Sequence, residues 1–369
     1  MTSLLSFSLQ ALLLSVLVIV FCLHKRSLDL YVGAVVIFWL LSVILIYARF
    51  GTEQIFLYSS DQEIHLQILE QYIPNEGIPF NFEKLIAGRY LVTLPVYFFS
   101  LFGLNSVLLL KLQQLVYLIF TYKLGHNFLI RHNIKPKVWH VGLFVGPIMI
   151  FMSTLALRDL AIGFFTALFI IHPQQNHKFI GIIGTFLLRP HLGVALIIGA
   201  VVAKIFAYIQ PKFFLFAIFI FTIGLYWFGA IGYFVGSSVL NQVSLGSAVQ
   251  VFTQYKFTRL AANFLGLQFL TLDESVVSAS TTVLLSTRLI FIDTWLTPLL
   301  FIVFLLKFSH KWNQLRLQVY FAFIFFYGLT SQTSWNSSRQ NIPFLISMGL
   351  LAVAGIESRR QTTTAEFGS

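Results

Sequence analysis

The sequence predicts an all-α, polytopic integral membrane protein, and three observations carry the prediction. Of the 369 residues, 57% are hydrophobic and only 10% are charged, which leaves more apolar surface than one aqueous core can hide. The apolar residues fall into runs close to the roughly 20 needed to cross a bilayer as a helix. Clusters of Lys and Arg recur between the runs, while the other charges gather at the opposite ends. A net charge of +11 would suggest nucleic acid in a soluble protein, but basic residues confined to short loops set membrane orientation instead. The lipid bilayer is therefore the expected surroundings, and nucleic-acid binding is excluded.

The first run, residues 4 to 23, holds the lone cysteine, Cys22, so no intramolecular disulfide framework exists. It lacks the basic start of a signal peptide and is followed by Lys25 and Arg26, which makes it a retained span. Further spans are expected at 31–49, 105–122, 139–157, 191–209, 212–236, 289–307, 317–334 and 342–356. Two pieces, 160–171 and 179–188, are too brief to cross alone and predict a thin hairpin buried against other helices. Lys25 and Arg26, the stretch from Lys123 to Lys137, the loop from Lys307 to Arg316 and Glu357-Ser358-Arg359-Arg360 belong on the cytoplasmic side by the positive-inside rule. Parity then requires Tyr90 to Leu104 to lie along the surface or re-enter, with the break Gly103-Leu104-Asn105 starting the next crossing.

These assignments give eleven passes, counting the short hairpin, with the N-terminus outside and the C-terminus inside. The outer side receives a loop of about 50–104 rich in acids (Glu53, Asp61, Glu63, Glu70, Glu76, Glu83), the corners Arg158-Asp159 and Arg189-Pro190, and a second segment at 237–288. The charges thus gather at one face and not at the midplane. No repeat or soluble domain is evident, so residues 1–365 form a single multispanning domain. The tail Glu366-Phe367-Gly368-Ser369 has the look of a cloning scar.

An ionised side chain within the membrane costs about 2.5 kcal/mol or more, so Arg158, Asp159, Arg189 and Arg339 need partners or water. Asp159 is placed to cap a helix starting at Leu160. Arg189 and Arg339 each precede a proline suited to the first turn of a helix, Pro190 directly and Pro343 after Asn341. A guanidinium there meets the positive end of the helix dipole, which favours an intervening anion such as phosphate. Snorkelling or pairing with the acidic loop is the alternative.

Asp61-Gln62-Glu63-Ile64-His65 is the densest titratable group of the outer loop. In a helix Asp61 and His65 share a face; in an extended chain Asp61, Glu63 and His65 point the same way, suiting a general base or a divalent metal. A solvated loop face is the plain alternative. His191, after Arg189-Pro190, is the helix-borne histidine to test, with a capping or pore-lining role as its alternative. No zinc motif, phosphate-binding loop, dinucleotide fingerprint or nucleophile elbow occurs.

The stretch from Arg49-Phe50-Gly51-Thr52 through Tyr58-Ser59-Ser60-Asp61, then Tyr90 to Phe102, Gly103 and a helix ending at Tyr122-Lys123-Leu124, resembles the opening of the GT-C glycosyltransferases. Ser153 through Asp159, Leu188-Arg189-Pro190-His191 and Asn336-Ser337-Ser338-Arg339 through Pro343 also resemble bacterial Wzy and EpsG-type polysaccharide polymerases. The likeness covers about 49–200 and 330–356, in motifs of two to seven residues. It implies a GT-C-like helical bundle in the bacterial cytoplasmic membrane with its active site on the outer face. The implied activity is transfer of saccharide from a polyprenyl-pyrophosphate-linked donor to an acceptor sugar hydroxyl, with inversion, building an O-antigen, capsule or exopolysaccharide. Asp61 would be the catalytic base, with Glu63 or Asp159 as substitutes, and Arg158, Arg189 and Arg339 would hold the pyrophosphate. The paired acids of metal-dependent members are missing, so no cofactor is expected and a divalent metal stays open. Partners in a polysaccharide assembly complex would follow. A lipid-linked oligosaccharide flippase or other transporter is the alternative from a different class.

Overall fold

A computed structural model of the chain describes residues 4–25, 28–50, 64–69, 89–206, 313–330 and 337–367. Among these residues the regular elements are all helices: α1 (Leu4–His24), α2 (Leu30–Phe50), α3 (Arg89–Ser100), α4 (Ser106–Arg131), α5 (Val138–Phe144), α6 (Pro147–Met152), α7 (Asp159–Ile171), α8 (Gln175–Leu188), α9 (Pro190–Phe206), α10 (Asn313–Thr330) and α11 (Ser337–Phe367). Three of them are long and apolar enough to cross a membrane, namely Leu4–His24, Leu30–Ala48 and Ser106–Arg131. The eleven expected passes are therefore not reproduced as eleven long helices among the described residues. The spans expected at 212–236 and 289–307 lie outside them. The chain divides into two compact units, Met1–Pro190 and His191–Ser369.

In the first unit, α1 and α2 are apolar on every face, as helices are whose outer surface meets lipid. Phe7, Ala11, Leu14 and Cys22 of α1 are buried, while Leu5, Leu9, Leu13, Leu17 and Val20 are exposed. That much exposed apolar surface is out of place in water. Three contacts fix the direction of the long helices. Gln10 accepts a hydrogen bond from the Asn105 N–H at 2.9 Å, so the starts of α1 and α4 lie side by side. The rings of Phe7 and Tyr47 stack at 3.8 Å, and those of Tyr31 and Tyr122 lie 4.4 Å apart. Hence α1 and α4 run parallel and α2 runs against both. Ahead of α4, Gly103 takes the left-handed conformation at φ 80°, which a glycine adopts without steric penalty. Asn105 then caps α4 by accepting from the Leu108 N–H at 3.1 Å. The preceding stretch, expected to lie flat or re-enter, forms α3, which packs against α4 and touches α8.

The continuous span expected at 139–157 is absent. It is replaced by α5, a break at Val145 and Gly146, the short α6, and a non-helical stretch at 153–158. Pro147 is the cause of the break: it has no N–H to continue α5 and suits the first position of α6. The expected hairpin does form, with α7 at 13 residues and α8 at 14. Two glycines let its arms touch. A Cβ on Gly181 would sit 2.5 Å from the Phe169 backbone nitrogen, and one on Gly184 would sit 2.5 Å from the Phe165 ring. Small residues at such a crossing allow dispersion contacts between backbones that larger ones would block.

The second unit contains α10 against α11, joined by aromatic contacts of Phe323 and Phe326 with Phe344 at 5.3 and 5.5 Å. Gly199 of α9 lies so close to α10 that a Cβ there would be 2.6 Å from the Gln318 carbonyl oxygen. Pro343 was expected in the first turn of its helix. Instead α11 starts at Ser337 and Pro343 lies inside it, where it removes the donor that the Arg339 carbonyl would have received. α11 continues through Phe367, into the first two residues of the tail set aside as a scar.

Candidate functional site

Residues 153–158 form an irregular stretch between two described helices of the first unit, and Ser153 through Leu157 are all buried. Irregular backbone deep in a bundle has to find its hydrogen bonds locally. The indole N–H of Trp39, fully buried on α2, donates to the Ser153 carbonyl at 2.9 Å. The Ser153, Thr154 and Leu155 N–H groups bond back to α6 carbonyls. His65, only 2% exposed, places Nδ1 3.1 Å from the Ala156 carbonyl oxygen. A carbonyl can only accept, so Nδ1 carries the hydrogen, and in the neutral ring Nε2 is then the acceptor. Through His65, the helical residues 64–69 are tied to this stretch.

The stretch ends in the Arg158-Asp159 corner. Arg158 Nη1 donates to the Leu188 carbonyl at 3.0 Å, so a cation closes the negative end of α8. Asp159 is the first residue of α7, where a carboxylate meets the positive end of the dipole. The expected cap at Asp159 is not made. Arg158 holds the N-cap position without a side-chain bond, because Asp159 lies one residue too far into the helix. Arg189, the C-cap of α8 and the single non-helical residue before Pro190, puts Nη2 3.6 Å from Asp159 Oδ1, with side chains 9% and 1% exposed. The corner thus brings together two arginines and one acid from sequence positions 30 apart. It also supplies, in Asp159, an anion beside Arg189 where the sequence argument had called for phosphate.

Two independent registers set the depth of this corner. Tyr31 lies level with Tyr122, and counting from Tyr31 to Trp39 along the opposed α2 carries the level of Ser153 to about Gln114. On the other side, Phe164 of α7 contacts Tyr117 and Phe120 at 5.8 and 5.9 Å, and His172 at its far end feels the charge of Arg131. So α7 runs parallel to α4, and counting back from Phe164 sets Asp159 level with about residues 112–115. Both counts agree. The corner lies about 12 Å along α4 from its first residue.

At that level α4 carries two polar residues that reading the sequence passed over. Lys111 is 5% exposed and Gln114 is fully buried. They sit three residues apart, hence on one face of the helix, the buried face shared with Leu115 and Leu118. The available signal was a lysine and a Gln-Gln pair inside an otherwise apolar run. Among the described residues of the first unit the acids are Asp29 and Asp159, and Asp29 lies at the level of Tyr122, so one carboxylate shares its level with three cations.

Asp61 and Glu63 lie outside the described residues, as does the whole segment 237–288. Arg339 belongs to the first turn of α11 in the second unit, with its side chain outside the described residues. His191 sits in the first turn of α9 and stacks on Phe326 at 5.6 Å, a packing contact. Among the described residues no three His, Cys, Asp or Glu side chains gather as a metal site would need. Comparison with protein-family models, curated proteins and solved structures finds nothing that matches this chain.

Proposed function

We propose that the chain is a membrane glycosyltransferase that extends a polysaccharide from polyprenyl-pyrophosphate-linked units. The observation that carries this reading is the meeting of Arg158, Arg189 and Asp159 where the helices break, with Lys111 level beside them. In the reaction an acceptor hydroxyl oxygen attacks the anomeric carbon, the bond from that carbon to the pyrophosphate oxygen breaks, and the lipid pyrophosphate departs with the electron pair. The largest demand is to stabilise charge on the leaving group, and fixed cations in a desolvated site are suited to it. Arg158 and Arg189 take this role, and Arg339 of the second unit is the third arginine to test for it. Attack from the face opposite the leaving group inverts the anomeric centre.

The hydroxyl proton needs a base. Asp61 fills that role best: it stands four residues before His65, whose ring is bonded to the stretch leading into the corner. Glu63 and His65 Nε2 are the substitutes. Asp159 is the weaker choice because its carboxylate is already engaged by Arg189. The enzyme would work in a bacterial cytoplasmic membrane with the corner open to the outer side, beside other components of polysaccharide assembly.

One observation favours a second reading, a lipid-linked oligosaccharide flippase. Charges at broken helices are also how transporters mark a substrate path. Reconstituted protein supplied with polyprenyl-pyrophosphate-linked repeat units, with and without chelator, separates the two. A ladder of products supports the polymerase, and one that survives chelation assigns the chemistry to the arginines. Movement of the lipid across the bilayer with no ladder would overturn the polymerase in favour of the flippase.

A further inference from the structure

Lys111 and Gln114 are the most costly side chains in the first unit and the fold makes no use of them. Neither the Gln114 amide oxygen nor its nitrogen has a hydrogen-bond partner, although the residue is fully buried. A buried amide left unpaired costs about 1–3 kcal/mol. The same-face Lys111, 5% exposed, has no carboxylate beside it among the described residues, and a buried charge without a partner costs several kcal/mol. The two residues are not placed to close a helix end, since both stand inside α4.

Their position gives them a use. They stand on the buried face of α4 at the level where two separate helix registers put Ser153 and Asp159. We infer that Lys111 and Gln114 form the second wall of a phosphate-class anion site, the ammonium pairing with a phosphoryl oxygen and the Gln114 amide donating to another. The inference deepens the reading of this corner as a pyrophosphate site, and it stands or falls on binding and not on polymer synthesis. With the anion in place the lysine is paired and the amide satisfied; with it absent both remain buried without partners. The site should therefore gain stability on binding and lose intrinsic stability for keeping these residues.

The test uses the full chain in lipid nanodiscs, with inorganic pyrophosphate and farnesyl pyrophosphate as probes, and reads both affinity and the melting temperature of the ligand-free protein. Lys111→Met should weaken binding about tenfold or more, and Gln114→Leu about fivefold, in keeping with one charged and one neutral hydrogen bond lost. Both variants should melt at or above the wild-type temperature, since an apolar side chain of like size replaces a buried polar one. Lys123→Met, beside Tyr122 on α4, should leave affinity unchanged. Binding of both probes would mean that the phosphates alone are read, and binding of farnesyl pyrophosphate alone that the lipid tail is required; either supports the site. Wild-type affinity in both Lys111→Met and Gln114→Leu would overturn it, and so would failure of the wild type to bind either probe. Should Lys111→Met fail to fold, Gln114→Leu with Lys111→Arg decides the matter, the arginine retaining affinity while the leucine loses it. Tight binding without a product ladder would sink the polymerase and leave this site intact.

Discussion

Two levels of α4, one at Tyr122 and one at about Gln114, hold charged clusters built in opposite ways. At the first, Asp29, Tyr122 and Lys123 form a closed set. Asp29 Oδ2 accepts from Lys123 at 2.6 Å and from the Tyr122 hydroxyl at 2.9 Å, while Oδ1 accepts from the Val32 N–H at 3.0 Å and caps α2. Burial alone would raise the Asp29 carboxyl, but these three hydrogen bonds and the lysine charge outweigh it and hold the carboxyl below its ordinary value. At the second, the corner has an ion pair at 3.6 Å, an amide with no partner and more cations than acids. The first cluster is complete without a ligand; the second is incomplete. Charges that satisfy one another are doing structural service, and charges that the fold leaves short are the ones to test for function.

Breaking the corner should have the largest effect. Arg189→Ala leaves Asp159, 1% exposed, as a buried carboxylate stripped of its nearest cation, at a cost of about 3 kcal/mol or more, and under the proposed function it also loses the transferase activity. Thermal unfolding reads the first and product ladders the second. Adding Asp159→Asn to that variant should restore part of the stability and none of the activity, a cycle that separates the pair from the site. A double variant no more stable than Arg189→Ala alone would show that the two side chains are not coupled.

A smaller effect is expected from the hairpin that carries the corner. Gly181→Ala drives a methyl into the Phe169 backbone, which cannot swing aside as a side chain would. The arms of α7 and α8 must then part, at about 1–3 kcal/mol, drawing Arg189 away from Asp159 and lowering activity with stability. Unchanged melting and turnover in this variant would mean that the hairpin is not packed as described.

The smallest effect belongs to the closed cluster. Asp29→Ala should cost about 1 kcal/mol through the lost cap and leave activity at the wild-type level, whereas Asp29→Asn keeps the cap. Because the folded carboxyl is depressed, its contribution is complete above the ordinary carboxylate range and disappears as pH falls through the folded value. The stability difference between wild type and Asp29→Asn, followed from neutral pH downward, should therefore shrink on the acid side. A difference that grows there, or a loss of activity in Asp29→Ala, would remove the contrast between the two clusters.

How much was legible in the sequence follows the same division. α1, α2 and α4 were visible because long apolar runs have one reading in lipid, and the thin hairpin was visible because its arms were too short for any other. The break at Gly146-Pro147 was missed because hydropathy does not register a missing N–H, and the run reads as continuous. Arg158, Asp159 and Arg189 were legible as costly charges. Their depth was not, since it depends on how far a short helix reaches beside a long one. Lys111 and Gln114 went unread for a related reason: one lysine within an apolar run is forgiven by any window average, and only the direction of its side chain shows that it is enclosed.

The brevity of α7 and α8 also bears on how the protein is made. Segments of 13 and 14 residues are too short to hold a place in the bilayer one at a time, and their shared glycine face gives each the other as its first partner. They must leave the insertion machinery as a pair and settle against a helix already waiting there. α4, synthesised earlier and contacting α7 along its aromatic ridge, is placed to receive them, so the corner closes when the hairpin docks.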